Sequence, residues 1–403
     1  ALAEIQSVIK PELPTKSHLL SVINTATDND SLIDDILTQI RGGDFRQFEV
    51  EQLLTGLKEK TGVTLSALKA DLSATVDREP QLNDLDIARL VLMDLEPSNI
   101  MFCDGHFRLW RGKGVWESVE IEIVKKLTHT MLEENACSIN AHRVNGITDL
   151  IRTEAYKEGN FVSGCCDIIN TKNGELEFIG GEWVLNPHNK NHFLTSQLNT
   201  AYDPEATAPR FEQFLDEVFQ GDADAADKKA VLLQMVGYSL LQNCKYESFL
   251  LLIGSGANGK SVLLEVLRAL VGNKSASAVQ PSQFDNKFQR GHLEGKLVNI
   301  VTEISEGHEI KDAELKAIVS GELTTAERKF QPPFEFQPHA TCWFGTNHMP
   351  HTRDFSDALF RRALVMKFNQ VFKPELGNCN PNLKQELIVE LPGILNLALG
   401  AYT

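Results

Sequence analysis

The spacing of hydrophobic and polar residues changes along this chain, and the changes predict how it is organised. Near the N-terminus, apolar residues recur at helical spacing in three segments. These segments are 31–40, which Gly42 and Gly43 end, and then 50–57 and 64–72. The polar stretch 75–83 follows them, and we expect a domain boundary there.

Beyond this stretch, short apolar runs bounded by turn residues are typical of strands. The predicted strands are 100–103, 107–110, 114–117, 176–178 and 183–185. Predicted helices cover about 118–134 and 140–156, and two more lie between 208 and 243. We therefore expect a helical N-terminal segment (1–78, a linker or collar), a smaller α+β domain (79–205) and a helical connection (206–245).

From about residue 246, strand-like and helical patterns alternate. The strand candidates are 249–253, 297–302, 342–345 and 363–368. This alternation is typical of an α/β domain with a mostly parallel sheet and helices on its faces. We expect it to occupy residues 246–403.

Composition adds limits to this organisation. The 403 residues are 42% hydrophobic, and no apolar stretch approaches the ~20 residues of a membrane span. Seven cysteines without a C-x-x-C pair predict neither a zinc site nor a disulfide framework, and indicate a reducing cytoplasm. No secretory signal opens the chain, which begins at Ala1 and is expected to be a fragment of a longer protein. The net charge of −16 disfavours a broad nucleic-acid surface but allows a local basic track.

One motif carries most of the chemistry. Residues 254–261 fit the phosphate-loop pattern G-x-x-x-x-G-K-[ST], between an apolar strand and an amphipathic helix. The loop reads Gly254, Ser255, Gly256, Ala257, Asn258, Gly259, Lys260, Ser261. Glycines let backbone amides approach phosphate oxygens, and the helix N-terminus favours the anion. Lys260 would reach the β- and γ-phosphates and Ser261 would ligate Mg²⁺, so the motif predicts ATP and Mg²⁺ as ligands.

Two later strands end in polar residues that suit the same site. Strand 297–302 is followed by Glu303, which could hold Mg²⁺ and polarise the attacking water. A surface glutamate at a strand end is the alternative. Strand 342–345 leads to Asn347, which could hydrogen-bond the γ-phosphate or the water, or could simply be a turn asparagine.

Basic residues supply two further candidates. Arg361 and Arg362 precede the last strand, where one could act as an arginine finger in a neighbouring subunit, or both could be a solvated pair. Segment 321–336 predicts a hairpin with Arg328, Lys329 and Phe330 near its tip. Basic and aromatic side chains there suit phosphates and bases, although an ordinary exposed turn is the alternative.

The order of these motifs resembles that of the superfamily-3 helicases, in the poxvirus and phage or plasmid primase–helicase branch. The loop 254–261 matches that branch's G-x-G-x-N-G-K-S, segment 288–296 resembles the stretch before its acidic strand, and 346–350 resembles its N-x-x-P sensor. Upstream, segments 114–116, 168–174, 195–204 and 237–240 resemble the domain that precedes the helicase. The likeness covers about residues 85–400.

The resemblance implies an AAA+-like P-loop ATPase that forms a hexameric ring and translocates on single-stranded or forked DNA. ATP would lie between subunits, with an arginine from the neighbour, and the hairpins would line the pore. A primase domain or partner often lies upstream in this family. Two departures matter: Glu303 is followed by Ile304 rather than forming an acidic pair, and two adjacent arginines leave the finger unassigned, with Arg362 better spaced.

The interpretation is therefore an ATP-dependent DNA helicase of a phage, plasmid or viral replication system, acting in the bacterial or host cytosol. An ATP-driven initiator that remodels an origin without processive unwinding is the alternative. A signalling ATPase that does not act on DNA is a third class, which the net charge of −16 leaves open.

Overall fold

The computed structural model describes residues 14–26, 30–73, 82–103, 105–157, 167–304, 310–329, 332–349 and 361–403. The chain divides into two compact units, Ala1–Asn83 and Asp84–Thr403. This division falls at the end of the polar stretch 75–83. Within the second unit, the expected divisions at 205/206 and 245/246 stay predictions. Among the described helices, none combines the length and the apolarity that crossing a bilayer requires.

The first unit is helical, as predicted. Its helices are α1 (Lys16–Thr25), α2 (Asp30–Gly42), α3 (Gln47–Thr61) and α4 (Leu65–Ser73). Their apolar faces meet in a shared core that includes Leu19, Ile36, Leu53, Leu57 and Leu68. Burying these side chains is the main source of stability for helices of this length. The three predicted segments are confirmed, each with shifted ends.

The second unit begins with α5 (Asp84–Asp94), a helix that the sequence analysis did not predict. Two antiparallel sheets follow, with α6 (Ile121–Glu134) and α7 (Ala141–Glu154) between them. The first contains β1 (Ile100–Cys103), β2 (His106–Trp110) and β3 (Trp116–Val119). The second contains β4 (Ile168–Thr171), β5 (Gly174–Ile179) and β6 (Glu182–Asn186).

The α/β region follows α8 (Pro209–Val218) and α9 (Ala225–Tyr238). Its strands are β7 (Phe249–Ile253), β8 (Ala276–Ser277), β9 (Val298–Val301), the hairpin strands β10 (Thr324–Ala326) and β11 (Phe334–Phe336), β12 (Thr341–Thr346) and β13 (Ala363–Lys367). Its helices are α10 (Lys260–Val271), α11 (Lys287–Arg290), α12 (Asp312–Val319), α13 (Leu383–Val389) and α14 (Leu391–Tyr402). The predicted alternation is confirmed.

The main sheet is parallel and its described strands run in the order β13–β7–β12–β9–β8. Strand β7 is an apolar run, as expected of a strand that is covered on both faces. Each face carries its own core, one that includes Leu250 and Trp343 and one that includes Leu251 and Phe344. Because all strands run the same way, their carboxyl ends meet at one edge of the sheet, where ligands bind in open α/β folds.

Candidate functional site

The predicted phosphate loop joins the carboxyl end of β7 to the first turn of α10. Gly259 adopts φ of +88°, and a Cβ there would lie 2.9 Å from a methyl carbon of Val218. A side chain would therefore be both strained and crowded at this position. A segment after β13 also contacts the loop, because the Phe372 amide donates a hydrogen bond to the Ala257 carbonyl oxygen at 2.6 Å. The helix N-terminus thus begins at a rigid, glycine-dependent turn.

Lys260 is buried at the start of α10 and its ammonium group has only oxygen partners. Its Nζ donates to the Gly254 carbonyl oxygen at 2.6 Å and to the Asn258 Oδ1 at 3.0 Å. Burial lowers the pKa of Lys260, and the attraction of Glu303 opposes that shift. The Asn258 Nδ2 is buried without a hydrogen-bond partner among the described residues. A buried cation beside an unused amide donor fits a phosphate group.

Glu303 and Asn347 meet at the same edge of the sheet. The register pairs Val301 of β9 with Phe344 of β12, so the residues that follow each strand emerge side by side. The Asn347 Nδ2 donates to the Glu303 Oε1 at 3.0 Å. This bond joins two residues that are 44 positions apart in the sequence. The side-chain amide of Asn347 therefore orients the Glu303 carboxylate.

The donor set for a divalent ion is small. No three His, Cys, Asp or Glu side chains converge on one point within the described part of the chain. Ser261 is exposed in the first turn of α10 and Glu303 is exposed at the sheet edge. Magnesium commonly takes one or two protein oxygens and completes its shell with water and nucleotide phosphates. The site therefore fits an ion that arrives with its nucleotide.

The two predicted finger arginines lie at the opposite edge of the sheet. Strands β13 and β7 are parallel, and Ala363 pairs with Phe249 at the start of both strands. The arginines come just before this end, whereas the phosphate loop follows Ile253 at the other end. About five strand residues, or roughly 17 Å, separate them from the phosphate loop of their own chain. The Arg362 Nη2 donates to the Glu247 carboxylate at 2.6 Å and to the Ser320 hydroxyl at 3.1 Å, whereas Arg361 is exposed.

The predicted hairpin exists, since Thr325 of β10 pairs with Glu335 of β11. Lys329 is exposed near its tip. Arg328 instead turns back against the protein, where it pairs with Glu294 and lies 4.3 Å above the Phe334 ring. Phe330, the third predicted contact, lies outside the described residues.

Two positions that the sequence pattern did not indicate support the site. A Cβ on Gly345 would clash with the Thr302 carbonyl oxygen, so glycine lets β12 approach the end of β9. The buried Asn299 accepts the Val279 amide at 2.8 Å and fixes the chain beside β9. Neither position had a signal in the sequence, because each acts through a contact with a separate segment of the chain.

Comparisons with known proteins bear on both halves of the second unit. Residues 90–220 match a protein-family model described as "D5 N terminal like", and residues 252–362 match one described as a family of unknown function, DUF5906. A protein of Acanthamoeba polyphaga mimivirus named "Putative helicase" is 29% identical over 140 residues. That alignment covers 31% of this chain and 14% of the viral protein, so the chain matches only a small part of it.

Solved structures show the same fold. An apo structure of the NrS-1 C-terminal region in its A form gives a TM-score of 0.53 at 14% identity, over 79% of this chain and 69% of that one. A second apo structure of that region gives 0.53 at 14% identity, over 80% and 70%. The expected α/β fold of P-loop NTPase type is therefore confirmed. The sequence matches are thus to a D5 N-terminal-like family over residues 90–220 and to part of a viral protein named "Putative helicase", and the solved structures show the fold alone.

Proposed function

We propose that this chain is the ATP-driven DNA helicase core of a viral, phage or plasmid replication system, and that it belongs to superfamily 3. The observation that carries the proposal is the meeting of Lys260, Glu303 and Asn347 at one edge of the parallel sheet. A 3.0 Å hydrogen bond joins Asn347 to Glu303, and the charge of Glu303 attracts the Lys260 ammonium group.

In this proposal, residues 254–261 bind the triphosphate of ATP. Backbone amides and the N-terminus of α10 face the anion, and the Lys260 ammonium neutralises the β- and γ-phosphates. Ser261, and Glu303 through a water molecule, would hold Mg²⁺, which would supply positive charge to the same phosphates. The phosphate contacts replace the carbonyl and amide oxygens that Lys260 contacts now, so the buried cation gains an anionic partner.

Hydrolysis then needs one proton acceptor and one positioning group. Glu303 accepts a proton from the water that attacks the γ-phosphorus, and the products are ADP and inorganic phosphate. Asn347 holds the carboxylate through its Nδ2, which leaves the second carboxylate oxygen for the water. This arrangement lets a single acid act where an acidic pair is absent.

The arginine pair favours an assembly of several copies. Because Arg361 and Arg362 lie about 17 Å from their own phosphate loop, a role in hydrolysis requires the site of a neighbouring subunit. Arg361 is the better finger because it is exposed, whereas Arg362 is engaged with Glu247 and Ser320. A hexameric ring is the arrangement we propose, with Lys329 of each hairpin toward single-stranded DNA.

The experiment that tests the proposal measures ATP hydrolysis against increasing single-stranded DNA on a sample whose mass is determined in parallel. DNA-stimulated hydrolysis in a hexamer-sized species, with unwinding of a forked duplex, is the expected result. Stimulated hydrolysis without unwinding would favour the initiator function instead. A rate of ATP hydrolysis that does not change with the DNA concentration would contradict the proposed DNA helicase.

A further inference from the structure

A large polar cleft lies beside the hairpin, within the second unit and away from the phosphate loop. Its volume is about 810 Å³. One wall comes from β2 and β3 of the first antiparallel sheet, and the other comes from the residues just before β9 and from Arg328 of the hairpin. The cleft thus joins the domain that precedes the ATPase to the hairpin that we propose contacts DNA.

Arg328 is the residue that links the two walls. Its Nη1 donates to the His106 Nε2 at 2.7 Å, and its Nη2 pairs with the Glu294 carboxylate. Burial, and then the charge of Arg328, lowers the pKa of His106, which favours the neutral ring as the acceptor. The Arg328 Nη2 therefore donates to one carboxylate, and guanidinium groups bind phosphate oxygens in the same way.

The sign of the charge in the cleft is opposite to that of the whole chain. Five Lys or Arg side chains and three Glu side chains line it, whereas the sequence has 39 basic and 55 acidic residues. The basic residues are Arg108, Arg152, Lys274, Lys296 and Arg328. Such a local reversal in an acidic protein indicates a site for an anion.

Lys296 is the most informative of these cations. Burial lowers the pKa of its ammonium group, and Glu294 only partly opposes the shift. Glu294 pairs with Arg328, whereas the Lys296 Nζ donates to the Lys274 carbonyl oxygen at 2.5 Å rather than to a carboxylate. A second anion would stabilise the charged form of Lys296, and the cleft has the volume to admit one.

We propose that this cleft binds the phosphates of a single strand of nucleic acid that passes the hairpin, and that a phosphate replaces Glu294 on Arg328. The inference rests on the proposed function, because it takes single-stranded DNA as the ligand. Arg328 lines the cleft, and the exposed Lys329 follows it in sequence near the hairpin tip. A strand bound in the cleft would therefore pass close to the Lys329 ammonium group. Moving Arg328 from Glu294 to DNA also loosens its contact with His106, which couples DNA binding to the preceding domain.

The test is equilibrium binding of a fluorescent oligo-dT strand to the full chain, followed by anisotropy at several salt concentrations. Lys296→Met keeps a half-buried side chain of similar length and removes the charge, so binding weakens several-fold and the salt slope falls by about 0.7. Glu294→Gln removes the competing carboxylate and strengthens binding several-fold. The matched controls are Lys126→Met and Glu122→Gln, both at exposed positions of α6, and they leave affinity unchanged.

The outcomes separate the cleft from the proposed function. If Lys329→Ala weakens binding while both cleft variants match their controls, the cleft proposal is wrong and the helicase proposal stands. If free dATP displaces the strand as well from the Lys260→Ala protein as from the unmodified chain, the cleft is a mononucleotide site instead. If the unmodified chain binds no DNA, both proposals fail.

Discussion

The Arg362 guanidinium donates a 2.6 Å hydrogen bond to the Glu247 carboxylate, and this bond distinguishes it from the adjacent Arg361. It ties the start of β13 to the residues before β7, and the Ser320 hydroxyl extends the contact to the end of α12. The sequence spacing favoured Arg362 as the finger. The structure instead gives Arg362 partners within its own chain and leaves Arg361 exposed.

We therefore expect Arg361→Ala to abolish most ATP hydrolysis in the assembled protein while leaving its melting temperature unchanged. Arg362→Ala should lower the free energy of unfolding by about 1 kcal/mol, since the pair is weakened by water around the half-exposed Glu247. Mixing Arg361→Ala subunits with Lys260→Ala subunits should restore part of the activity. In the mixed assembly, some sites combine the intact Lys260 of one copy with the intact Arg361 of its neighbour. The absence of recovery in the mixture would argue against action between subunits.

The second prediction concerns Lys260. Lys260→Ala should reduce ATP hydrolysis by at least about 100-fold, because the charge that stabilises the γ-phosphate in the transition state is lost. Lys126→Ala, on the exposed side of α6, is the matched control and should hydrolyse ATP normally. Near-normal turnover by Lys260→Ala would contradict the assignment of the nucleotide site.

Glu303 gives a third prediction, which separates binding from chemistry. Glu303→Gln should retain ATP binding, measured with a fluorescent analogue, and should lower the hydrolysis rate by about 10²–10⁴-fold through loss of the proton acceptor. Asn347→Ala should reduce the rate less, because it misorients the carboxylate without removing it. A Glu303→Gln protein that hydrolyses ATP at the normal rate would show that another group accepts the proton.

The core of these assignments could be predicted because each motif is local. Lys260 follows a glycine loop, and Glu303 and Asn347 each follow an apolar strand, so the parallel sheet alone brings them to one edge. Pairings between distant segments could not be predicted. His106 and Arg328 are 222 residues apart, and nothing in either local pattern records their contact.

Missed secondary structure has a similar cause. Helix α5 buries Ile87, Ala88, Val91 and Leu92, a helical spacing that follows directly after a polar stretch. The polar stretch predicts a domain boundary, and the first predicted element beyond it is the strand at 100–103. Helix α5 packs with α6 and α7. These packing partners lie later in the chain, so the sequence pattern of 84–94 alone does not show what its apolar face contacts.

The hairpin gives a fourth prediction. Lys329→Ala should weaken the binding of single-stranded DNA and reduce its salt slope by about 0.7, the value for one lost phosphate contact. The measurement is anisotropy of a labelled strand between low and physiological salt, with Lys126→Ala as the control. Unchanged affinity and slope would mean that the exposed tip does not contact DNA.

Stability against pH provides a fifth prediction through His339. Burial lowers the pKa of His339 to about 4, and both ring nitrogens lack hydrogen-bond partners among the described residues. Above pH 6.5 the ring is neutral in both the folded and the unfolded chain, so it adds no pH dependence. Below that, the unfolded chain binds a proton that the folded chain excludes, and stability falls by about 3 kcal/mol by pH 4.

The check is urea unfolding of the unmodified chain and of His339→Leu between pH 7 and pH 4. The leucine variant should lose less stability over this interval, because its unfolded state lacks the titrating ring. Identical pH dependence in the two proteins would show that His339 is solvated or protonated in the folded state.

The position of β7 between two other strands has a consequence for motion. Strand β7 is hydrogen-bonded on both sides, by β12 and by β13, and its side chains are largely buried. In hydrogen exchange, its amides should therefore open only with global unfolding, and they should be among the last to take up deuterium. The loop that would hold ATP thus follows a strand that we expect to move little. Movement during a catalytic cycle then falls to the periphery, where the hairpin and the arginine pair are attached.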